Sequence, residues 1–250
     1  MKIQNLHKSY GHKKVVTDVS LDLPKGKVIS FIGPNGAGKS TVLNIITRLV
    51  DRDSGTIHVD DLDIMKWKSK ELSKKMAILT QANNIQMKLT VKELVAFGRF
   101  PYSGSNLNTE DYEMIDRAIE YMELQEFQDR FIDELSGGQR QRAYIAMVIA
   151  QDTEIVFLDE PTNNLDIYHS SNMMKIVRRL CEELGKTVVL VLHEINFAST
   201  YSDYIGAFKD GELYKFGPVK EVMTKETLKN LYNVDFEIQI KNDKPIAIFY

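Results

Sequence analysis

The sequence predicts an α/β domain with a mainly parallel sheet, an antiparallel β subdomain at its N-terminus and an inserted α-helical subdomain. Three observations predict it. A short apolar run, Val28–Ile32 (VISFI), leads through a glycine-rich loop into an amphipathic helix. Two later runs of the same kind, Ile155–Leu158 and Val188–Leu192, are separated by a helical pattern. Between the early and late runs, helical periodicity replaces strand patterning. With 250 residues, 43% hydrophobic and 27% charged, the chain has an ordinary folded composition, and disorder, collagen and disulfide scaffolds are excluded.

The elements follow in order. Residues 1–27 alternate weakly, with Val19, Leu21 and Leu23 set against Ser20 and Asp22 and turn residues at Gly11, Pro24 and Gly26, which predicts short antiparallel strands. After the glycine loop, Val42, Ile45, Ile46 and Leu49 form one stripe of a helix. Gly55–Val59 and Met76–Leu79 are further strands. Thr90 and Glu93 make a capping box ahead of Leu94 and Phe97, and Ile115, Ala118, Ile119 and Met122 form another stripe. Met173, Ile176, Val177, Leu180 and Leu184 make the helix before the last apolar run, with Gly185 as its stop. Residues 236–250 alternate and read as an added edge strand or a loosely held tail. The expected division is a core with the β subdomain at 1–80 and 152–235, a helical subdomain at 81–151 and a C-terminal tail at 236–250.

Lys plus Arg is 32 and Asp plus Glu is 35, so a net charge of -3 offers no global field for nucleic acid or anionic lipid. Any anion must be held locally. The single Cys181 suggests a reducing compartment. The first residues carry no secretory pattern, so a cytoplasmic location is expected. The longest apolar runs are about a quarter of the ~20 residues a membrane-spanning helix needs, so a membrane role would be peripheral.

The local anion site is plain. Gly33, Pro34, Asn35, Gly36, Ala37, Gly38, Lys39 and Ser40 read GPNGAGKS, a phosphate-binding loop between a strand and a helix. Its glycines let several N–H groups converge on phosphate oxygens at a helix N-terminus, where the dipole adds positive charge. Lys39 would reach the β- and γ-phosphates, Ser40 would ligate Mg²⁺ and Thr41 would touch the phosphates. The run Ile155–Leu158 then ends in Asp159 and Glu160. Asp159 would hold Mg²⁺ through water, and Glu160 would orient and polarise an attacking water.

Leu135–Gln139 reads LSGGQ, ahead of a helical stretch with Ala143, Ala146 and Ala150. Ser136, Gly137 and Gly138 therefore offer free N–H groups and a hydroxyl to a second anion site. GPNGAGKS, LSGGQ with Gln139, the strand ending in Asp159 and Glu160, the NNLD segment and the later His193 together resemble the nucleotide-binding subunit of an ATP-binding-cassette (ABC) transporter. The resemblance covers essentially the whole chain. It implies a P-loop NTPase core of RecA-like type with the ABC ATPase subdomains, hydrolysis of ATP with Mg²⁺, and a head-to-tail dimer. In that dimer the LSGGQ of one copy covers the γ-phosphate held by the other.

By the same resemblance Tyr10 stacks on adenine, and Gln81 touches Mg²⁺ and the water. Asp166 lies in the loop that crosses to the partner copy, and His193 contacts the γ-phosphate and holds Glu160 and the water. Asn163 and Asn164 stand where the family pattern has Ser-Ala, which bears on that loop's hydroxyl contacts. The remaining histidines, His7, His12, His58 and His169, show no ligand spacing and are taken as structural. The lysines from Lys66 to Lys75 are a solvated helix face rather than a nucleic-acid surface.

The segments Thr90–Tyr102 (TVKELVAFGRFPY), His193–Ala198 (HEINFA) and Lys209–Gly217 (KDGELYKFG) are similar to cassettes of ferric-siderophore, haem and cobalamin importers. An iron-siderophore importer is the expected role, with a haem or cobalamin importer or an exporter as the alternative. A soluble non-transport ABC ATPase is disfavoured, because the chain carries one cassette and no sustained heptads. The implied partners are integral-membrane permease subunits gripped near Gln81–Tyr102, a second copy of the chain and, indirectly, an extracytoplasmic substrate-binding protein. No nucleic acid is involved. The place would be the cytoplasmic face of the cell membrane.

Overall fold

The computed structural model describes residues 1–80, 87–163 and 165–249. They fall into two compact units, Met1–Trp67 with Met174–Tyr250, and Lys68–Met173. In chain order the elements begin β1 (Lys2–Tyr10), β2 (Lys13–Asp22), β3 (Val28–Ile32), α1 (Lys39–Ile46), β4 (Ser54–Val59) and β5 (Leu62–Asp63). Next come α2 (Ser69–Leu72), β6 (Met76–Leu79), α3 (Val91–Ala96), α4 (Phe100–Ser103), α5 (Thr109–Tyr121), α6 (Gly137–Ala150) and β7 (Ile155–Asp159). The chain closes with α7 (Ile167–Glu182), β8 (Thr187–Val191), α8 (Ile195–Tyr201), β9 (Tyr204–Lys209), β10 (Glu212–Pro218), α9 (Val219–Val222), α10 (Lys225–Tyr232), β11 (Glu237–Lys241) and β12 (Lys244–Ile248).

In the first unit β1 pairs antiparallel with β2 and β4, and Ile3, Leu6, Val19 and Ile57 turn inward from these strands. This is the predicted N-terminal β subdomain, half-buried and so alternating. β3 pairs in parallel with both β8 and β9, and every residue of β3 and β8 is buried. Burial on both faces explains why VISFI and TVVLV read as unbroken apolar runs. The polar residue within β3, Ser30, shares a hydrogen bond of 2.6 Å with the Ser202 hydroxyl.

The second unit holds the helices α3 to α6 and the parallel pair β6 and β7. Thr90 and Glu93 cap α3 reciprocally, and Asn108 and Asp111 do the same for α5. Arg99 is buried with Asp111 at 2.9 Å and donates to Ala150 O, which ties α5 to the end of α6. Of the lysine-rich stretch only Lys70 lies in the short helix α2, of which Leu72 alone is buried, so no continuous lysine face of a helix forms there.

Three details depart from the sequence pattern. Helix α1 stops at Ile46, because Arg48 turns to φ +60 and Leu49 is left outside, 54% exposed. Helix α7 stops at Glu182, and Leu184 is exposed beyond it. The tail is neither an added edge strand nor loose: β11 and β12 form their own two-stranded antiparallel sheet. Asn196 of α8 clamps it, donating to Ala247 O at 3.1 Å and accepting from Ala247 N–H at 2.8 Å. Among the described residues no helix is long and apolar enough to cross a membrane.

Candidate functional site

Residues 33–41 leave the carboxyl end of β3 and enter α1, the strand end where open α/β sheets bind ligands. Two of the loop's glycines are enforced by backbone. Gly33 has φ +142, and a Cβ there would lie 2.1 Å from the Phe208 carbonyl oxygen. Gly38 has φ +92, and a Cβ there would lie 2.6 Å from the Val15 carbonyl oxygen. At Gly36 no described residue stands within 4 Å of a would-be Cβ.

Lys39 is 5% exposed, and its ammonium donates to Gly33 O at 2.8 Å and Pro34 O at 2.9 Å. The loop closes on itself as Ala37 N–H donates to Pro34 O at 3.2 Å. Asn35 is exposed at its tip, and Ser40 and Thr41 follow half-buried on α1. Among the described residues no side chain caps Gly38, and the first turn of α1 carries no acid, so the helix dipole there favours an anion.

His193 is exposed two residues beyond β8, the parallel neighbour of β3. It therefore leaves the sheet at the same edge as the phosphate loop. Tyr10 ends β1 and is 52% exposed, with the Lys8 ammonium over its ring at 5.5 Å from the centroid. Its hairpin partner β2 supplies the Val15 carbonyl that abuts Gly38. A residue with no sequence signal also reaches this loop. Tyr232 of α10 carries a buried hydroxyl without a hydrogen-bond partner among the described residues. Burial pushes this phenol up to about 12, opposed by the Gly33 backbone facing it.

In the second unit Asp159 ends the wholly buried strand β7 and is itself 7% exposed. Glu160 follows with φ +53, a left-handed conformation that costs a non-glycine residue on the order of 1 kcal/mol and gathers at functional sites. Asn163 turns back on it. Its side-chain amide donates to Glu160 Oε2 at 3.2 Å, and its backbone N–H to Glu160 O at 3.1 Å. The departure from the family pattern at Asn163 thus puts a donor on the carboxylate. Asp166 is exposed and starts α7, its Oδ1 accepting from His169 N–H at 2.8 Å. Gln81, one residue past the described end of Thr80, lies outside the described residues.

The LSGGQ segment is the start of α6. The Ser136 hydroxyl accepts from Gln139 N–H at 3.3 Å, and Gln139 Oε1 accepts from Ser136 N–H at 3.0 Å, a capping box. Ser136 and Gly137 are exposed, and Gly138 and Gln139 are half-buried. One turn on, Gln141 Nε2 donates to Pro161 O at 3.3 Å, which fastens α6 to the residue after Glu160.

The family model described as ABC transporter matches residues 16–163, more than half of the chain. The chain belongs to the ABC transporter family. This cassette is 52% identical over all of its length, and 99% of the relative's, to the petrobactin import ATP-binding protein YclP of Bacillus subtilis (strain 168). It is 40% identical to the iron(3+)-hydroxamate import ATP-binding protein FhuC of the same strain, over 100% of this chain and 94% of that one. Among solved structures, a dimeric bacterial ABC transporter cassette aligns with a TM-score of 0.77 at 32% identity, covering 87% of this chain and 98% of that one. The cassette is therefore an ATPase with the P-loop ABC fold expected from its sequence.

Proposed function

We propose that this cassette powers iron-siderophore import, hydrolysing ATP between two copies joined head to tail and passing the movement to permease subunits in the membrane. The observation that carries it is the unlike pair of glycine-rich helix starts in one chain. One buries a lysine on its own carbonyls beneath an uncapped helix; the other presents an exposed serine and glycine. Neither alone encloses a triphosphate, and each supplies what the other lacks.

In this mechanism Tyr10 offers its ring face to adenine, and residues 33–41 hold the phosphates by backbone N–H groups, with Lys39 moving its contacts from Gly33 O and Pro34 O to phosphate oxygens. Ser136 to Gln139 of the second copy then close on the γ-phosphate. Glu160, steadied by Asn163, orients and polarises the attacking water. His193 and Gln81 complete its surroundings, and Asp166 meets the second copy.

The donor set fits Mg²⁺. Ser40 and Asp159 would offer a hydroxyl and a carboxylate, both hard oxygen donors. Such a set suits an ion kept mainly by phosphates and water. When bound, Mg²⁺ would neutralise charge on the phosphates.

Siderophore import is supported by what the relatives are named for, and by the segments Thr90–Tyr102, His193–Ala198 and Lys209–Gly217. The permease holds the cassette at the cytoplasmic face, and the extracytoplasmic substrate-binding protein acts on the far side of it. The test is transport. Cells lacking this chain should lose uptake of a ferric siderophore and regain it with the wild-type chain but not with Glu160→Gln. Unchanged siderophore uptake together with loss of cobalamin or haem uptake would move the cargo assignment, and failure to co-purify with any importer-type permease would sink the importer reading.

A further inference from the structure

His169 carries no ligand spacing, yet the structure gives it a place on the signature loop. It stands on the first turn of α7, and its imidazole fills the space over Gly138 of α6. A Cβ on Gly138 would lie 2.8 Å from His169 Nδ1 and 3.0 Å from Cε1. The neighbouring Gly137 has no described residue within 4 Å of a would-be Cβ. Gly138 has no positive φ, so its backbone conformation does not demand glycine, and glycine inside a helix costs about 1 kcal/mol against alanine. On this side the histidine ring occupies the space that a Cβ would take.

Asp166 holds the backbone of His169 and lies near its ring. That carboxylate accepts the His169 backbone N–H at 2.8 Å, and its second oxygen lies 4.0 Å from His169 Nε2. Tyr168 meets the imidazole edge-on at 5.3 Å between centroids. Ile167 and Tyr168, beside Asp166, are 85% and 69% exposed, a large apolar contribution for two consecutive residues on a surface. One residue therefore lays its ring against the signature glycine while its backbone N–H is bound by the aspartate at the base of this exposed pair.

We propose that His169 is a positioning residue that locks the signature loop to the Asp166 turn, so that the second copy of the chain meets both as one rigid face. The proposal rests on the head-to-tail reading above. A rigid face loses less conformational freedom on association than two loops ordered separately. Removing the ring should weaken dimer formation while leaving nucleotide capture by a single copy to the phosphate loop.

The experiment uses the full chain with Glu160→Gln and measures ATP-driven dimerisation by sedimentation, with steady-state ATPase in the otherwise unchanged chain. His169→Ala should raise the dimer dissociation constant about tenfold and the half-saturating protein concentration for turnover to match. The rate at saturating protein and the melting temperature should change little, a split that a merely structural role would not produce. His169→Phe, which keeps a flat ring over Gly138, should restore most of the dimerisation. Gly138→Ala should dimerise poorly and improve when His169→Ala is added, because the second change removes the clash.

If the Glu160→Gln parent stays monomeric with ATP, the head-to-tail reading falls and takes this proposal with it. A parent that dimerises beside a His169→Ala variant that dimerises equally well overturns this proposal alone, as does Gly138→Ala made worse by His169→Ala.

Discussion

The phosphate loop and the signature loop are both glycine-rich helix starts, yet they are held in opposite ways. The first is set by backbone: Gly33 and Gly38 sit against the carbonyls of Phe208 and Val15, and Lys39 is buried on the loop's own oxygens. The second is set by side chains: Ser136 and Gln139 cap each other, Gln141 reaches Pro161 O, and the His169 ring covers Gly138. Backbone contacts give a site whose shape is complete before the ligand arrives. Side-chain contacts give one whose position other residues can adjust. That contrast suits the proposed roles, in which the phosphate loop grips nucleotide and the signature loop answers a second copy of the chain.

The largest effect expected is on the fixed half. Lys39→Ala should weaken ATP binding by about a hundredfold or more, since charge-assisted hydrogen bonds to phosphate are lost. The empty cassette should melt no lower than wild type, because a buried ammonium carries a desolvation cost that alanine lacks. The rise in melting temperature on adding ATP should vanish. An empty variant that is unfolded would show that the lysine holds the loop together rather than waiting for phosphate.

The adjustable half depends on the helical unit beneath it, and there the comparison can be sharpened through Asp111. Burial alone would raise this carboxyl, but the Asn108 amide, the Ser103 hydroxyl and the Arg99 guanidinium outweigh it and hold it below the ordinary range. A depressed folded pKa gives stability that is complete above the unfolded value near 3.9 and is lost as pH falls through the folded value. Asp111→Ala should cost about 3–5 kcal/mol by leaving Arg99 buried without its partner, and should flatten acid unfolding below about pH 4. Thermal and acid melts check both. Arg99→Met with Asp111→Leu should recover much of the loss.

Much of this was legible in the sequence because the signals are local. VISFI, GPNGAGKS, the Thr90–Glu93 box and LSGGQ each complete their meaning within about ten residues, and the structure puts a strand, a loop, a cap and a helix start where they predict. What was not legible depends on turns or on residues far apart. Leu49 fits the helical stripe, but Arg48 ends α1 in a left-handed conformation that its side chain does not announce. The tail hairpin turns on Asn242 and Asp243, both at positive φ, and alternation alone does not distinguish such a hairpin from an edge strand. His169 escaped because metal spacing is the wrong test for a ring that packs on a glycine.

Asn163 separates positioning from binding in the half that carries Glu160. The amide at 3.2 Å from Glu160 Oε2 steadies a carboxylate on a strained left-handed residue. Asn163→Ala should lower kcat about fivefold to tenfold with little change in KM, because a hydrogen bond to a charged group, partly exposed, is worth about 1 kcal/mol or slightly more. A KM that rises with kcat unchanged would place Asn163 on the nucleotide instead.

The smallest effect belongs to the fixed half and tests how complete it is. Tyr232 buries a hydroxyl with no partner among the described residues, next to the Gly33 backbone. If the loop is set by Gly33, Gly38 and Lys39 alone, Tyr232→Phe keeps the packing against Phe236 and discards an unsatisfied polar atom. Stability should then change by less than about 1 kcal/mol and in the favourable direction, with ATP affinity unaltered. A loss of affinity without loss of stability would instead make the phenol a support for Gly33, and the phosphate loop would then owe its shape to a side chain from outside it, as the signature loop does.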